Sequence, residues 1–110
     1  MSQLAARHCE VCTADTPLLS REEVAQLLPD LGSAWTVADG RRLHRALRFA
    51  DFAGAFALTT RIAAVAEEEG HHPELTVGWG HLDVDITTHA AGGLTTNDFI
   101  LAAKVDALAQ

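Results

Sequence analysis

The sequence predicts an α+β fold, a four-stranded antiparallel sheet with helices on one face, in the order αββαββα. Three observations carry that expectation. Apolar residues recur at helical spacing in three stretches. In two others they alternate with polar residues, and a glycine-containing turn splits each of these stretches. The strands therefore come in hairpin pairs rather than singly between helices, which makes neighbours antiparallel and leaves one sheet face free for water.

A chain of 110 residues with 48% hydrophobic residues suffices for one core without metals or disulfides. Residues 1–16 are expected as a flexible arm contributing little core area, and residues 17–110 as a single domain. The 8 Lys and Arg against 15 Asp and Glu give a formal charge of −7, which disfavours nucleic acid and anionic membrane surfaces. A small ligand or another protein is the better partner. Cys9 and Cys12 are the only cysteines, so no disulfide framework is expected. The opening MSQLAARHCEVC lacks the pattern of a secretory signal, and no apolar run reaches the length of a membrane span. A cytoplasmic location is the expectation.

The first helix is expected within Leu19 to Leu31. Ser20 and Glu23 form a capping-box pattern, Val24, Leu27, Leu28 and Leu31 keep helical spacing, Pro29 disturbs the last turn, and Gly32 ends it. From Ala34 to Phe49 the period becomes two. Trp35 and Val37 alternate, Asp39 and Gly40 turn the chain, and Leu43, Leu47 and Phe49 alternate with Arg42, His44 and Arg48. Asp51 then caps a second helix, Phe52 to Glu69, which has no proline and many alanines. Its apolar arc, in which Ala55 and Leu58 are included, is wider than one sheet face needs. A second copy of the chain would cover the remainder.

Gly70 suits the left-handed residue after a helix, and His71, His72 and Pro73 leave in extended form. Glu67 to Glu69 sit poorly at the negative end of the helix dipole, a hint of function. Leu75, Val77 and Trp79 alternate as one strand, Gly80 and His81 turn, and Leu82, Val84, Ile86 and Thr88 alternate against Asp83, Asp85, Thr87 and His89. On this pattern Trp79 is expected in the sheet core. Ala90 to Gly93 form a loop, after which Thr95 or Thr96 caps a last helix carrying Phe99, Ile100, Ala103 and Leu108.

Histidine titrates near neutrality, and six occur here, two of them adjacent. Two roles are open to His71 and His72: loop histidines that cap helix carbonyls, or proton-transfer groups lining two parts of one pocket, since neighbours in extended chain point apart. His8, Cys9 and Cys12 offer zinc-type ligands, but they make three where a structural site wants four. Borrowing His44 or His81 would be arbitrary, so no metal is expected there.

Written out, the chain reads Glu67, three residues, His71-His72-Pro73, five residues, Trp79, nine residues, His89, eight residues, Asp98. In this form it resembles the bacterial branch of the pterin-4a-carbinolamine dehydratase family, as do HCEVCTAD, LLSREEVAQLL, RFADFAGAFALTTRIAAVAEEEGHHPEL and GGLTTNDFILAAKVDAL. Many relatives carry an aromatic and an Asn where this chain has Leu75 to Val77.

The resemblance implies dehydration of 4a-hydroxytetrahydropterin to quinonoid dihydropterin, downstream of an aromatic amino acid hydroxylase, with neither metal nor organic cofactor. It implies His71 and His89 as the acid/base residues. His72, with Thr87 and Thr88, is assigned to substrate binding, and Glu67, Pro73, Trp79 and Asp98 to supporting roles. It also implies a homo-oligomer, a dimer or dimer of dimers. The alternative is a protein-binding role, because animal members of the family also serve as dimerisation cofactors of a homeodomain transcription factor through their helical surface.

Overall fold

The computed structural model describes residues 3–109. The first two residues of the expected arm and the last residue of the expected domain lie outside that range. The elements are α1 (Arg21–Leu27), β1 (Thr36–Ala38), β2 (Arg42–Arg48), α2 (Phe52–Glu69), β3 (Glu74–Gly78), β4 (His81–Ile86) and α3 (Thr96–Ala109). All strand pairs are antiparallel, and their order across the sheet is β1-β2-β4-β3. The expected class and element order are thus present.

Local chemistry sets each boundary. The Ser20 side chain accepts from the Glu23 N–H and Glu23 returns the bond, a complete capping box. Pro29 cannot donate within a helix, so α1 stops at Leu27 and the chain continues as a 3-10 turn over Leu28–Asp30. The helix is therefore shorter than its apolar spacing implied. Asp39 and Gly40 have φ of 55° and 67°, the paired left-handed geometry of a two-residue hairpin. Asp51 caps α2 by accepting the Gly54 N–H at 2.8 Å.

One sheet face carries Leu43 and Leu47 of β2 and Leu82, Val84 and Ile86 of β4, all buried. Against it pack Ala55, Leu58, Ile62 and Ala66 of α2 with Phe99, Ile100, Ala103 and Val105 of α3. Strand period also puts Arg45 on that face, where it pairs with Asp106 of α3. Asp106 in turn accepts from Trp35 Nε1 at 2.8 Å and from the Gly32 N–H at 2.9 Å. That one carboxylate joins the first hairpin to the last helix.

Two expectations are corrected here. Ala55 and Leu58 face this chain's own core, at 0% and 6% exposure, rather than the free arc of α2. The free arc instead presents Phe52 and Phe56, whose rings stack at 5.9 Å between centroids. The N-terminal segment, expected to add little to the core, buries Leu4 against it and packs Ala5 and Cys9 on its margin. A short apolar segment with no period of its own was invisible as a core element because its partners lie far away on α3.

Candidate functional site

The site begins where α2 ends. Gly70 adopts φ 65°, its N–H returns to the Glu67 carbonyl, and the His71 N–H reaches back to Ala66 O at 3.2 Å. This double closure is the Schellman stop, and it fixes where the next side chains emerge. Pro73 then keeps His72 extended, so the two imidazoles diverge.

His71 turns inward and is 9% exposed, with Nε2 2.6 Å from Asp98 Oδ1. A carboxylate can only accept, so Nε2 bears the proton and Nδ1 is the basic atom of the neutral ring. Asp98 is fully buried, and its Oδ2 accepts from Thr88 Oγ1 and from the Thr95 N–H, both at 2.8 Å. The Thr95 bond is one half of a capping box, so the carboxylate that holds His71 also helps start α3. Thr88 and Thr95 hydroxyls close the network at 2.9 Å.

His72 turns outward, with Nε2 2.5 Å from Glu67 Oε2 on the last turn of α2. His89 follows β4 on a tight turn in which Thr88 and Gly93 bridge, and the Thr88 carbonyl accepts from Ala91 and Gly92. It is exposed, and among the described residues its ring has no hydrogen-bond partner. The three histidines, with Thr87, Thr88, Glu10 and Cys12, line one open cleft of about 210 Å³. Thr87, Thr88 and His89 also line a second cleft of about 250 Å³ that contains Arg41 and Arg42. The Thr87 hydroxyl donates to the Arg41 carbonyl at 2.6 Å, which ties the first hairpin to this shared wall.

Trp79 and Pro73 are not among the residues lining either cleft. Trp79 belongs to the turn after β3 and is 73% exposed, so its expected place in the sheet core is corrected. Strand alternation continued one residue too far, because the turn is Trp79-Gly80 and Gly80 has φ 78°. His8, Cys9 and Cys12 do not converge. His8 Nδ1 meets Glu69, Cys9 Sγ lies 3.6 Å from Asn97 O, and Cys12 Sγ lies 3.0 Å from Asn97 Nδ2. Among the described residues no group of three or more His, Cys, Asp or Glu is placed to hold a metal ion.

Sequence reasoning missed Glu10 and Asn97, and it gave Cys12 and Glu69 no place at the site. For Glu69 the signal was the glutamate run at the wrong end of a helix dipole. Glu67 goes to His72, while Glu69 turns inward and accepts the Cys9 N–H at 2.7 Å. That backbone bond, with His8 and Lys104 nearby, holds the Glu69 carboxyl below its ordinary range against the opposing effect of burial.

Fold and site together define a small α+β protein with a histidine-lined cleft in which two imidazoles are held by carboxylates, an arrangement for acid–base chemistry. A sequence profile described as Pterin 4 alpha carbinolamine dehydratase matches residues 17–108. The chain belongs to the pterin-4a-carbinolamine dehydratase family. Two relatives carry the name "Putative pterin-4-alpha-carbinolamine dehydratase". The one from Rickettsia bellii (strain OSU 85-389) is 42% identical over 105 residues, covering 96% of this chain and 93% of its own. That from Legionella pneumophila (strain Lens) is 44% identical over 108 residues, covering 97% and 96%. Among solved structures, a transcriptional coactivator/pterin dehydratase from Brucella melitensis superposes with a TM-score of 0.80 at 34% identity, over 86% of this chain and 100% of that one. A pterin dehydratase-like protein described as a RuBisCO assembly factor in the alpha-carboxysome gives 0.61 at 26% identity, over 71% and 92%.

Proposed function

We propose that the protein dehydrates 4a-hydroxytetrahydropterin to quinonoid dihydropterin and water, acting in the cytoplasm on the product of an aromatic amino acid hydroxylase. The observation that carries this reading is the convergence of His71, His72 and His89 on one cleft, with Asp98 behind the first and Glu67 beside the second. The reaction requires the C4a hydroxyl to leave with a proton and the N5 proton to be taken, tasks suited to groups that titrate near pH 7. His71 and His89 are the acid/base pair. His71 is oriented through Asp98, and His89 stands unengaged beside Thr87 and Thr88. His72, steadied by Glu67, positions the substrate.

The test is the decay of 4a-hydroxytetrahydropterin generated in situ by a hydroxylase, followed by absorbance with and without the protein. Accelerated decay, lost in His71→Ala, is the expected result; decay at the spontaneous rate would remove the reading. We further propose that the chain assembles with copies of itself through the free face of α2, as a dimer or dimer of dimers. The transcriptional coactivator description of the Brucella protein raises a second reading, in which that same face binds another protein. A binding module would be indifferent to His71→Ala, so the same assay separates the two.

A further inference from the structure

Residues 8–12 lie outside the stretch matched by the family profile, yet they are fastened across the end of α2 and the start of α3. Asn97 grips residue 10 from both sides. Its Oδ1 accepts the Glu10 N–H at 2.9 Å, and its Nδ2 donates to the Glu10 carbonyl at 2.6 Å. On the other flank the Glu69 carboxylate, 2% exposed, accepts the Cys9 N–H at 2.7 Å and pairs with His8 Nδ1 at 2.8 Å. Lys104 Nζ stands 3.7 Å from that carboxylate and donates to the Ala5 carbonyl at 2.8 Å. A wall held by amide and carboxylate anchors on both sides is preorganised in the sense a binding site requires.

Glu10 on this strap lines the histidine cleft. Asp98 behind the cleft already accepts three hydrogen bonds, and Glu67 is engaged by His72. Glu10 is the one acidic side chain lining the cleft among the described residues, and its carboxylate has no hydrogen-bond or ion-pair partner among them. A carboxylate is an acceptor with two oxygens, and the 2-amino-4-oxo-pyrimidine ring of every pterin offers an amine N–H and a ring N–H side by side.

Building on the dehydratase reading above, we propose that Glu10 is a specificity-determining residue whose carboxylate accepts the paired N–H donors of the pterin's aminopyrimidine edge, with Asn97 and Glu69 as positioning residues that hold it there. The reacting N5 lies in the other ring and C4a at the fusion of the two, away from the aminopyrimidine edge and toward the histidines. Recognition and chemistry are thereby divided between the strap and the domain.

The experiment uses the full chain and Glu10→Gln, which keeps the side chain's size and the strap's backbone bonds. Turnover of 4a-hydroxytetrahydropterin is measured together with binding of 7,8-dihydropterin and of its 2-oxo analogue, which lacks the amine. The expected result is a KM and a dihydropterin Kd raised roughly tenfold, as for one lost hydrogen bond to a charged group, with kcat within about twofold. The wild-type preference for dihydropterin over the 2-oxo analogue should collapse in the variant, and the thermal midpoint should stay in place. Asn97→Ala should raise KM at least as far, and adding Glu10→Gln to it should cost little more. Unchanged KM and unchanged preference in Glu10→Gln, beside an active wild type, would overturn the proposal while sparing the dehydratase reading. A wild type that neither accelerates decay nor binds dihydropterin would overturn both.

Discussion

Asp98 illustrates how much one side chain can organise. Its two oxygens accept from His71, Thr88 and the Thr95 backbone, with no water-exposed surface left. Asp98→Asn puts an amide donor against at least one of those donors, so stability should fall by on the order of 2 kcal/mol and turnover should fall with it. Denaturant midpoints and kcat read the two losses. Removing the reacting imidazoles is a separate matter. His71→Ala and His89→Ala should each lower kcat roughly 100-fold, while His72→Ala should act mainly on KM. Equal kcat in wild type and His89→Ala would remove His89 from the acid/base pair. Cys9 offers an independent check of the strap. Burial, and after it the charge of Glu69, pushes its thiol up to about 12, which leaves almost no thiolate at pH 8. Iodoacetamide should therefore label Cys12→Ser far more slowly than Cys9→Ser, and equal rates would mean that the strap does not hold Cys9 under the helix end.

At the scale of elements, the sequence was legible where local chemistry decides and opaque where distant partners do. The second helix, both hairpins and the His71-His72-Pro73 exit follow from Asp51, Asp39-Gly40, Gly70 and strand period, each acting within a few residues. Asp98 entered only with the family resemblance, and its bond to the Thr95 N–H, which makes it part of a helix start, was not legible in the sequence. The strap was misjudged because its anchors, Asn97 and Glu69, are about sixty and more residues away and look like ordinary surface residues of two helix ends. Deleting residues 1–13 removes buried Leu4, worth about 1.5–3 kcal/mol by the burial of a leucine side chain, together with the Glu69 and Asn97 bonds. The thermal midpoint should drop by about 5 °C or more. The pH dependence follows from Glu69, whose carboxyl is held below its ordinary value of 4.5. A depressed carboxyl stabilises the fold above its unfolded value, and the contribution is lost as pH falls through the folded one. The stability gap between wild type and Glu69→Gln should therefore be full at pH 6 and narrow progressively as pH falls below 4.5. A gap that persists in acid would show that the Glu69 charge is not what fastens the strap.

For the whole molecule, the α2 surface sets the remaining question. Its inner stripe of Ala55, Leu58, Ile62 and Ala66 is spent on the core, so the small residues that looked like spare apolar arc are partly accounted for within one chain. What remains outside is Phe52 and Phe56, 45% and 49% exposed, continued along the helix by exposed Ala53, Ala57, Ala63 and Ala64. Two stacked phenylalanines followed by small side chains let a second helix approach closely, and a two-fold axis would set the same face of another copy against it. The net charge of −7 opposes association only weakly here, because α2 carries Arg61 and no acid before Glu67. The chain should sediment as at least a dimer at micromolar concentration. Phe56→Glu, which leaves the core stripe intact, should shift it toward monomer by placing an unpaired charge in the interface. Turnover per chain should survive that shift, since Phe56 lines neither of the clefts that contain His89. A wild-type monomer would end the assembly proposal, and loss of turnover on dissociation would mean that the cleft needs its neighbour.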